Sequence, residues 1–163
     1  MTFVPEKNTK TAYILSMILT ASGVGFFLFA GASGTPAVYQ LIALALCAGG
    51  IFILYRYTIC SFVYTLDETD LYVTRVTGKK NLTLCSVSYE DITALCKTSE
   101  PSKKCDKALS GKFDYTVNLG SKEKSFYLYF PDGKKYIRLT LEGGDELAQA
   151  IASRTSYDTE VNI

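Results

Sequence analysis

Residues 11–55 read TAYILSMILT ASGVGFFLFA GASGTPAVYQ LIALALCAGG IFILY, which is 45 residues without one Asp, Glu, Lys or Arg. From Arg56 onward the chain carries 15 basic and 15 acidic side chains. Such a division indicates that the two parts contact different solvents, hydrocarbon and water. Because a bilayer core about 30 Å thick takes roughly 20 helical residues to cross, residues 12–30 and 37–55 predict two membrane-spanning helices.

The flanks of the apolar run predict its orientation. Residues 31–36, GASGTP, form a turn by composition and carry no charge. Lys7 and Lys10 precede the first span and Arg56 follows the second. Since positive charge collects on the cytoplasmic side, we expect a multi-pass protein of the plasma (cytoplasmic) membrane with both termini cytoplasmic.

Small residues in both spans suggest how the helices pack. Ala21 and Gly25 in the first span, and Ala45 and Gly49 in the second, have the small-xxx-small spacing that permits close helix contact. Chance spacing in spans rich in Ala and Gly is an equally good explanation.

A cleaved signal peptide is the rival interpretation of the N-terminus. Ala30-Gly31-Ala32 has the form of a cleavage site, and Lys7 and Lys10 could form the basic region before it. The apolar stretch is longer than a usual signal core, however, and a second span follows at once. The hairpin of two spans is therefore the favoured interpretation.

The chain contains no histidine, which excludes a Ser-His-Asp triad, a Cys-His pair and a His-ligated metal. An odd number of cysteines without a C-x-x-C pair predicts reduced thiols. Cys96 and Cys105 flank a lysine-rich loop, so a redox-sensitive thiol is a weaker alternative. We expect no enzyme activity, catalytic residue, metal, cofactor, nucleic acid or small-molecule substrate. The cysteines are Cys47, Cys60, Cys85, Cys96 and Cys105.

Downstream of the apolar run, short alternating stretches broken by turn residues predict half-buried antiparallel strands. Residues 77–81 (TGKKN) and 131–134 (PDGK) are fitted to hairpin turns. The apolar spacing in residues 145–154 predicts a short amphipathic helix. Seven strands are expected, over residues 58–66, 71–77, 81–86, 91–98, 112–119, 125–130 and 135–142.

Seven antiparallel strands and a final helix are also the element order of the pleckstrin-homology (PH) superfold. The chain resembles bacterial PH-like membrane proteins in residues 64–74 (YTLDETDLYVT), 89–95 (YEDITAL) and 127–137 (YLYFPDGKKYI). The resemblance covers about residues 11–154. It implies a membrane α-helical hairpin plus a mostly-β PH-like domain, with seven antiparallel strands in a curved sandwich or partial barrel capped by one C-terminal helix.

This interpretation divides the chain into four parts. Residues 1–10 are expected to be a cytoplasmic tail and 11–56 the transmembrane hairpin. The PH-like domain is expected over 57–154, and a flexible tail over 155–163.

Many PH-like relatives bind inositol phosphates through basic residues near the first hairpin. Residues 67–70 read DETD at that position, and this acidic turn, which repels phosphate, argues against phosphoinositide binding. Basic residues cluster elsewhere, and we hypothesise that they face anionic lipid head groups. A solvated loop is the alternative. These residues are Arg56, Lys79, Lys80, Lys103, Lys104 and Lys107.

Tyr127, Tyr129 and Tyr136 suggest a second surface. Exposed aromatics on a polar strand face suit partner recognition, although cross-strand packing explains them equally well. The leading hypothesis is a PH-like interaction or scaffolding module with a membrane-protein partner or a second copy of itself. Lipid sensing through the lysines, or an auxiliary-subunit role for a membrane-bound enzyme or transporter, are the alternatives.

Overall fold

The computed structural model describes residues 1–155 and 160–162 and divides the chain into two compact units. The hairpin unit is Lys7–Cys60, and the β unit combines Met1–Glu6 with Ser61–Ile163. The first six residues therefore belong to the β unit. Of the predicted C-terminal tail, residues 156–159 and 163 lie outside the described residues.

The hairpin unit contains two helices long and apolar enough to cross a membrane, as the uncharged run predicts. Helix α1 spans Lys10–Ala30 and α2 spans Pro36–Leu54. Proline is favourable at the start of α2 because its missing N–H has no helical partner there. A π-helical turn, Tyr55–Ile59, extends α2.

Small side chains bring α1 and α2 into close contact. A Cβ atom added to Gly23 would lie 2.6 Å from Cys47 Sγ, and one added to Gly50 would lie 2.6 Å from Thr20 Oγ1. Ser16 Oγ donates a 2.9 Å hydrogen bond to the carbonyl oxygen of Gly50. The two backbones can approach this closely only because glycine has no side chain at these positions.

The predicted small-xxx-small packing face is wrong. A Cβ atom on Gly25 or Gly49 would meet nothing within 4 Å, and Ala21 and Ala45 are exposed. Small residues occur on more than one face of each helix, so their spacing alone does not select the face in contact. The buried residues of the two helices are Ala12, Ser16, Gly23, Ala30, Ala43 and Gly50.

The first sheet of the β unit follows the predicted hairpins and adds one strand that was not predicted. Its order is β1-β2-β3-β4. β1 pairs antiparallel with β2, with Thr2 opposite Thr65 and Phe3 opposite Tyr64. Gly78 has a φ of +60°, which suits the two-residue turn before β4. The strands are β1 (Thr2–Phe3), β2 (Cys60–Leu66), β3 (Asp70–Thr77) and β4 (Lys80–Ser88).

The second sheet is mixed, so the prediction of a wholly antiparallel fold is wrong. β5 (Ala94–Lys97), β6 (Leu109–Asp114), β7 (Ser125–Asp132), β8 (Lys135–Glu142) and β9 (Glu160–Asn162) are its strands. Their order is β6-β8-β7-β5-β9. β7 pairs antiparallel with β5 and β8, whereas β6 is parallel to β8 and β9 is parallel to β5. The two sheets do not close into one barrel.

The strand predicted over residues 112–119 ends at Asp114, and the buried carboxylate of Glu142 explains why. Thr116 donates to Asp114 Oδ1 through its backbone N–H and its hydroxyl, which turns the chain. The N–H groups of Val117 and Asn118 then donate to Glu142 Oε2 at 2.7 and 2.9 Å. These donors are satisfied by a side chain, so they need no neighbouring strand.

Helix α4, Gly144–Ala152, confirms the predicted C-terminal amphipathic helix. It buries Leu147, Ala148 and Ile151 in the main core of the β unit. Helix α3, Lys103–Asp106, is a single turn that was not predicted. The largest fully buried core side chains include Tyr64, Leu66, Leu71, Leu95, Leu128, Leu139 and Leu141.

Candidate interaction site

The outer face of the second sheet, which points away from the main core, carries a small cluster of its own. Ala94 and Cys96 of β5, Tyr129 of β7 and Cys105 of α3 are all buried in it. We call these four residues the outer cluster. Leu109, Tyr127 and Tyr136 are half-buried and pack against it. The outer cluster attaches α3 to the sheet.

Polar contacts fix α3 further. Arg138 Nη1 lies 2.9 Å from Asp106 Oδ1, and the Tyr129 hydroxyl donates to the same oxygen at 3.0 Å. Arg138 Cζ lies 4.2 Å from the centroid of the Tyr127 ring, within cation–π range. Burial and the hydrogen bond to Asp106 raise the pKa of Tyr129, because both favour the protonated hydroxyl that donates to the carboxylate.

The tyrosines are placed differently from the prediction. Tyr129 was expected on an exposed face, and that expectation is wrong because α3 covers it. Tyr127 and Tyr136 remain half-buried beside it. β7 is the third of five strands and is covered on both faces, a situation that an alternating sequence does not reveal.

The predicted basic residues fall into three groups. Lys103 and Lys104 lie on α3 and Lys107 follows it; all three are exposed because Cys105 and Asp106 face the sheet. Lys79 and Lys80 lie where β3 turns into β4, in the first sheet. Arg56 lies in the π-helical turn of the hairpin unit, with its Cζ 5.0 Å from the centroid of the Tyr57 ring.

A second feature of the same face lies at the outer edge of β5. Ser102, which is 3 % exposed, donates its hydroxyl hydrogen to Glu160 Oε2 at 2.9 Å. Glu160 N also donates to the carbonyl oxygen of Thr93 at 3.1 Å. A depression of about 640 Å³ beside this contact is lined by Ser99, Glu100, Pro101, Ser102, Lys103, Lys104 and Glu160.

The thiols near this edge are held in the neutral form. Burial, followed by the Glu160 carboxylate, raises the pKa of Cys96 to about 11. Burial also raises the pKa of Cys105. These shifts argue against the redox-sensitive thiol, because the thiolate is the reactive species. Among the described residues, no group of three His, Cys, Asp or Glu could hold a metal ion.

The sequence did not identify four residues of this face: Asp106, Arg138, Ser102 and Glu160. Asp106 had a detectable signal, since it is the only acid between Lys103 and Lys107. Ser102 and Glu160 are 58 residues apart in the chain, and no local pattern connects them.

Comparison with known proteins gives no relative for this chain. No family model, no curated protein and no solved structure matches it. Function is therefore inferred from the residues and contacts of the chain itself.

Proposed function

We propose that this protein is a membrane-anchored, non-enzymatic interaction or scaffolding module, in which a two-pass hairpin holds the β unit at the cytoplasmic face of the membrane. The pairing of β1 with β2 carries the proposal. β1 precedes α1 and β2 follows α2, so the two strands that flank the hairpin are neighbours in one sheet.

This pairing constrains the topology. Phe3 and Tyr64 are opposite each other, and paired strands must lie on the same side of a bilayer. The pairing therefore supports an even number of membrane crossings between them. Lys7 and Arg56 at the two ends of the hairpin favour the cytoplasm for that side.

The same pairing weighs against the signal-peptide alternative. Cleavage after residue 32 would remove β1 and leave the edge of β2 uncovered. Uncovered strand edges invite aggregation, and proteins usually cover or shorten them. Retention of the N-terminus as a structural strand is the simpler interpretation.

The proposal also includes a PH-like fold for the β unit. A four-stranded sheet, a second sheet and a C-terminal helix that packs on the core support a distant likeness to the superfold. The parallel pairs β6–β8 and β5–β9 depart from it. An interaction role depends on the exposed surfaces of the β unit rather than on the fold name.

Purification of the full-length chain in a mild detergent tests this function. We expect the protein to need detergent for extraction and to carry a stoichiometric membrane-protein partner or to self-associate. A tag at either terminus should resist protease added to intact cells and become cleavable after lysis. A detergent-free soluble protein, an externally cleaved tag, or a partnerless monomer would contradict the proposal.

Anionic-lipid sensing is the second candidate, because the exposed side chains of α3 and of its C-cap residue are all lysines. Lys103, Lys104 and Lys107 are held outward by the buried Cys105 and the Asp106–Arg138 ion pair. Each lysine near an anionic surface contributes about 1 kcal/mol. Native mass spectrometry should show about tenfold or greater loss of retained anionic lipid for K103Q/K104Q/K107Q, and little change for K134Q/K135Q.

A further inference from the structure

The outer edge of β5 is covered by the chain's own C-terminal strand. β9 pairs in parallel with β5, with Glu160 opposite Ala94 and Val161 opposite Leu95. The β5 residues beneath it are essentially inaccessible to solvent. An uncovered β5 would present a row of main-chain donors and acceptors, so β9 occupies a position that another extended segment could fill.

Among the described residues, β9 is held mainly by main-chain hydrogen bonds. Outside its ladder with β5, the described contacts are one main-chain bond from Glu160 N to the Thr93 carbonyl and one from the Ser102 hydroxyl to the Glu160 carboxylate. Val161 is 46 % exposed and therefore adds little apolar burial. Parallel pairs are also slightly less stable per residue than antiparallel ones. In the part of the chain that the structure describes, β5 therefore binds β9 through main-chain bonds and one carboxylate.

The surroundings favour a negatively charged segment. The depression beside the Ser102–Glu160 contact is lined by Lys103 and Lys104, with Glu100 as the opposing charge. The sequence of residues 156–163, SYDTEVNI, carries two acids and no base. The two lysines therefore complement the charge of Glu160, the acid that β9 places there.

We propose that the outer edge of β5, together with Ser102, Lys103 and Lys104, is a binding site for an extended acidic segment of a partner protein. β9 is its intramolecular occupant and competes with the partner. The partner segment adds as a strand to β5 and places a carboxylate where Glu160 accepts the Ser102 hydrogen bond. This proposal rests on the interaction function above and names the site that performs it.

A labelled peptide with the sequence SYDTEVNI tests the site against two detergent-solubilised proteins, the full-length chain and a variant that ends at Thr155. Fluorescence anisotropy should show binding to the shortened chain that is about tenfold or more tighter than binding to the full-length chain, where β9 competes. Replacement of the peptide's glutamate by alanine, or Ser102→Ala in the protein, should weaken binding about tenfold or more. A folded shortened chain that does not bind the peptide overturns the proposal.

Hydrogen exchange on the full-length chain keeps the test valid where the shortened chain fails to fold. Glu160→Ala should accelerate amide exchange of residues 94–97, whereas Glu123→Ala, at an exposed acid, should not. Equal exchange in the two variants overturns the proposal. A partner that co-purifies equally with the wild type and with Glu160→Ala rejects this site but retains the interaction function. Conversely, peptide binding by a protein that has no co-purifying partner retains the site and rejects that function.

Discussion

The hairpin unit and the β unit place their large apolar side chains in opposite positions. In the hairpin unit Leu28 is 73 % exposed, while Gly23 and Ala43 are buried. In the β unit Tyr64 and Leu128 are completely buried. The contrast supports the proposed membrane hairpin, because hydrocarbon accepts large apolar side chains and leaves close backbone contact to hold helices together. Small residues stabilise one unit and large residues stabilise the other.

In each unit a charged side chain satisfies neighbouring main-chain groups. Lys7 Nζ donates to the carbonyl oxygens of Thr58 and Cys60 at 2.7 and 2.9 Å, where the π-helical turn ends and β2 begins. Glu142 accepts from the N–H groups of Val117 and Asn118. A cation thus satisfies carbonyl groups in the hairpin, and an anion satisfies N–H groups in the β unit.

The largest expected effect is in the β unit, at Glu142. Glu142→Ala should lower the free energy of unfolding of the β unit by about 3 kcal/mol or more, because it leaves buried N–H donors without acceptors. Urea unfolding of the full-length protein in mild detergent, followed by near-UV circular dichroism of the tyrosines, measures it. Glu68→Ala, at an exposed acid, should change it by less than about 0.5 kcal/mol. Equal losses of unfolding free energy in the two variants would show that Glu142 does not stabilise the β unit through these buried donors.

The next largest effect is in the hairpin unit, where small residues, not large ones, are expected to stabilise the packing. Gly23→Leu should destabilise helix pairing by about 1 to 3 kcal/mol, because its side chain would overlap Cys47 and the Ala43 carbonyl. Gly25→Leu, which meets open space, should be nearly neutral. Unfolding of the helices by titration with SDS compares them. If both glycines tolerate leucine equally, the assigned packing face is incorrect.

Substitution of Lys7 tests the hydrogen bonds to main-chain carbonyl groups in the hairpin unit, and a smaller effect is expected. Lys7→Met should destabilise the hairpin unit by about 1 to 2 kcal/mol, because it removes two charge-assisted hydrogen bonds to carbonyl groups. Lys10→Met is the control, since Lys10 is exposed. The same SDS titration applies. An unchanged midpoint for Lys7→Met would mean that water satisfies those carbonyls equally well.

The sequence predicted the parts of the fold that depend on local physics. Uninterrupted absence of charge predicted both apolar helices, and turns at Gly78 and Gly133 predicted the hairpins β3–β4 and β7–β8. The spacing of Leu147 and Ile151 predicted α4. In each case the residues that decide the structure are close together in the chain.

The remaining features depend on contacts between distant residues. β1 has two residues and forms only because β2, about 60 positions later, accepts it. The end of β6 depends on Glu142, and β9 pairs with β5, more than 60 positions earlier in the chain. The candidate basic surface was partly predictable, because lysines around a loop are visible in the sequence. The burial of Tyr129 was not, since α3 is a single turn without a periodic signal.

Alkaline pH should act on the two units in opposite directions, and this is the smallest effect. Burial raises the pKa of Cys96 from 9.0 to about 11, so between these values the unfolded chain releases a proton that the folded β unit retains, and stability falls as pH rises. Burial lowers the pKa of Lys7 from 10.5, so the unfolded chain retains the proton longer and hairpin stability rises toward that pH. Solvent screening keeps both changes small. Thermal melting of each unit at pH 8 and 9.5 measures how its stability changes with pH. Cys96→Ala should reduce this change in the β unit, and Lys7→Met should reduce it in the hairpin unit. Changes of the same sign in both units would contradict the roles given to Cys96 and Lys7.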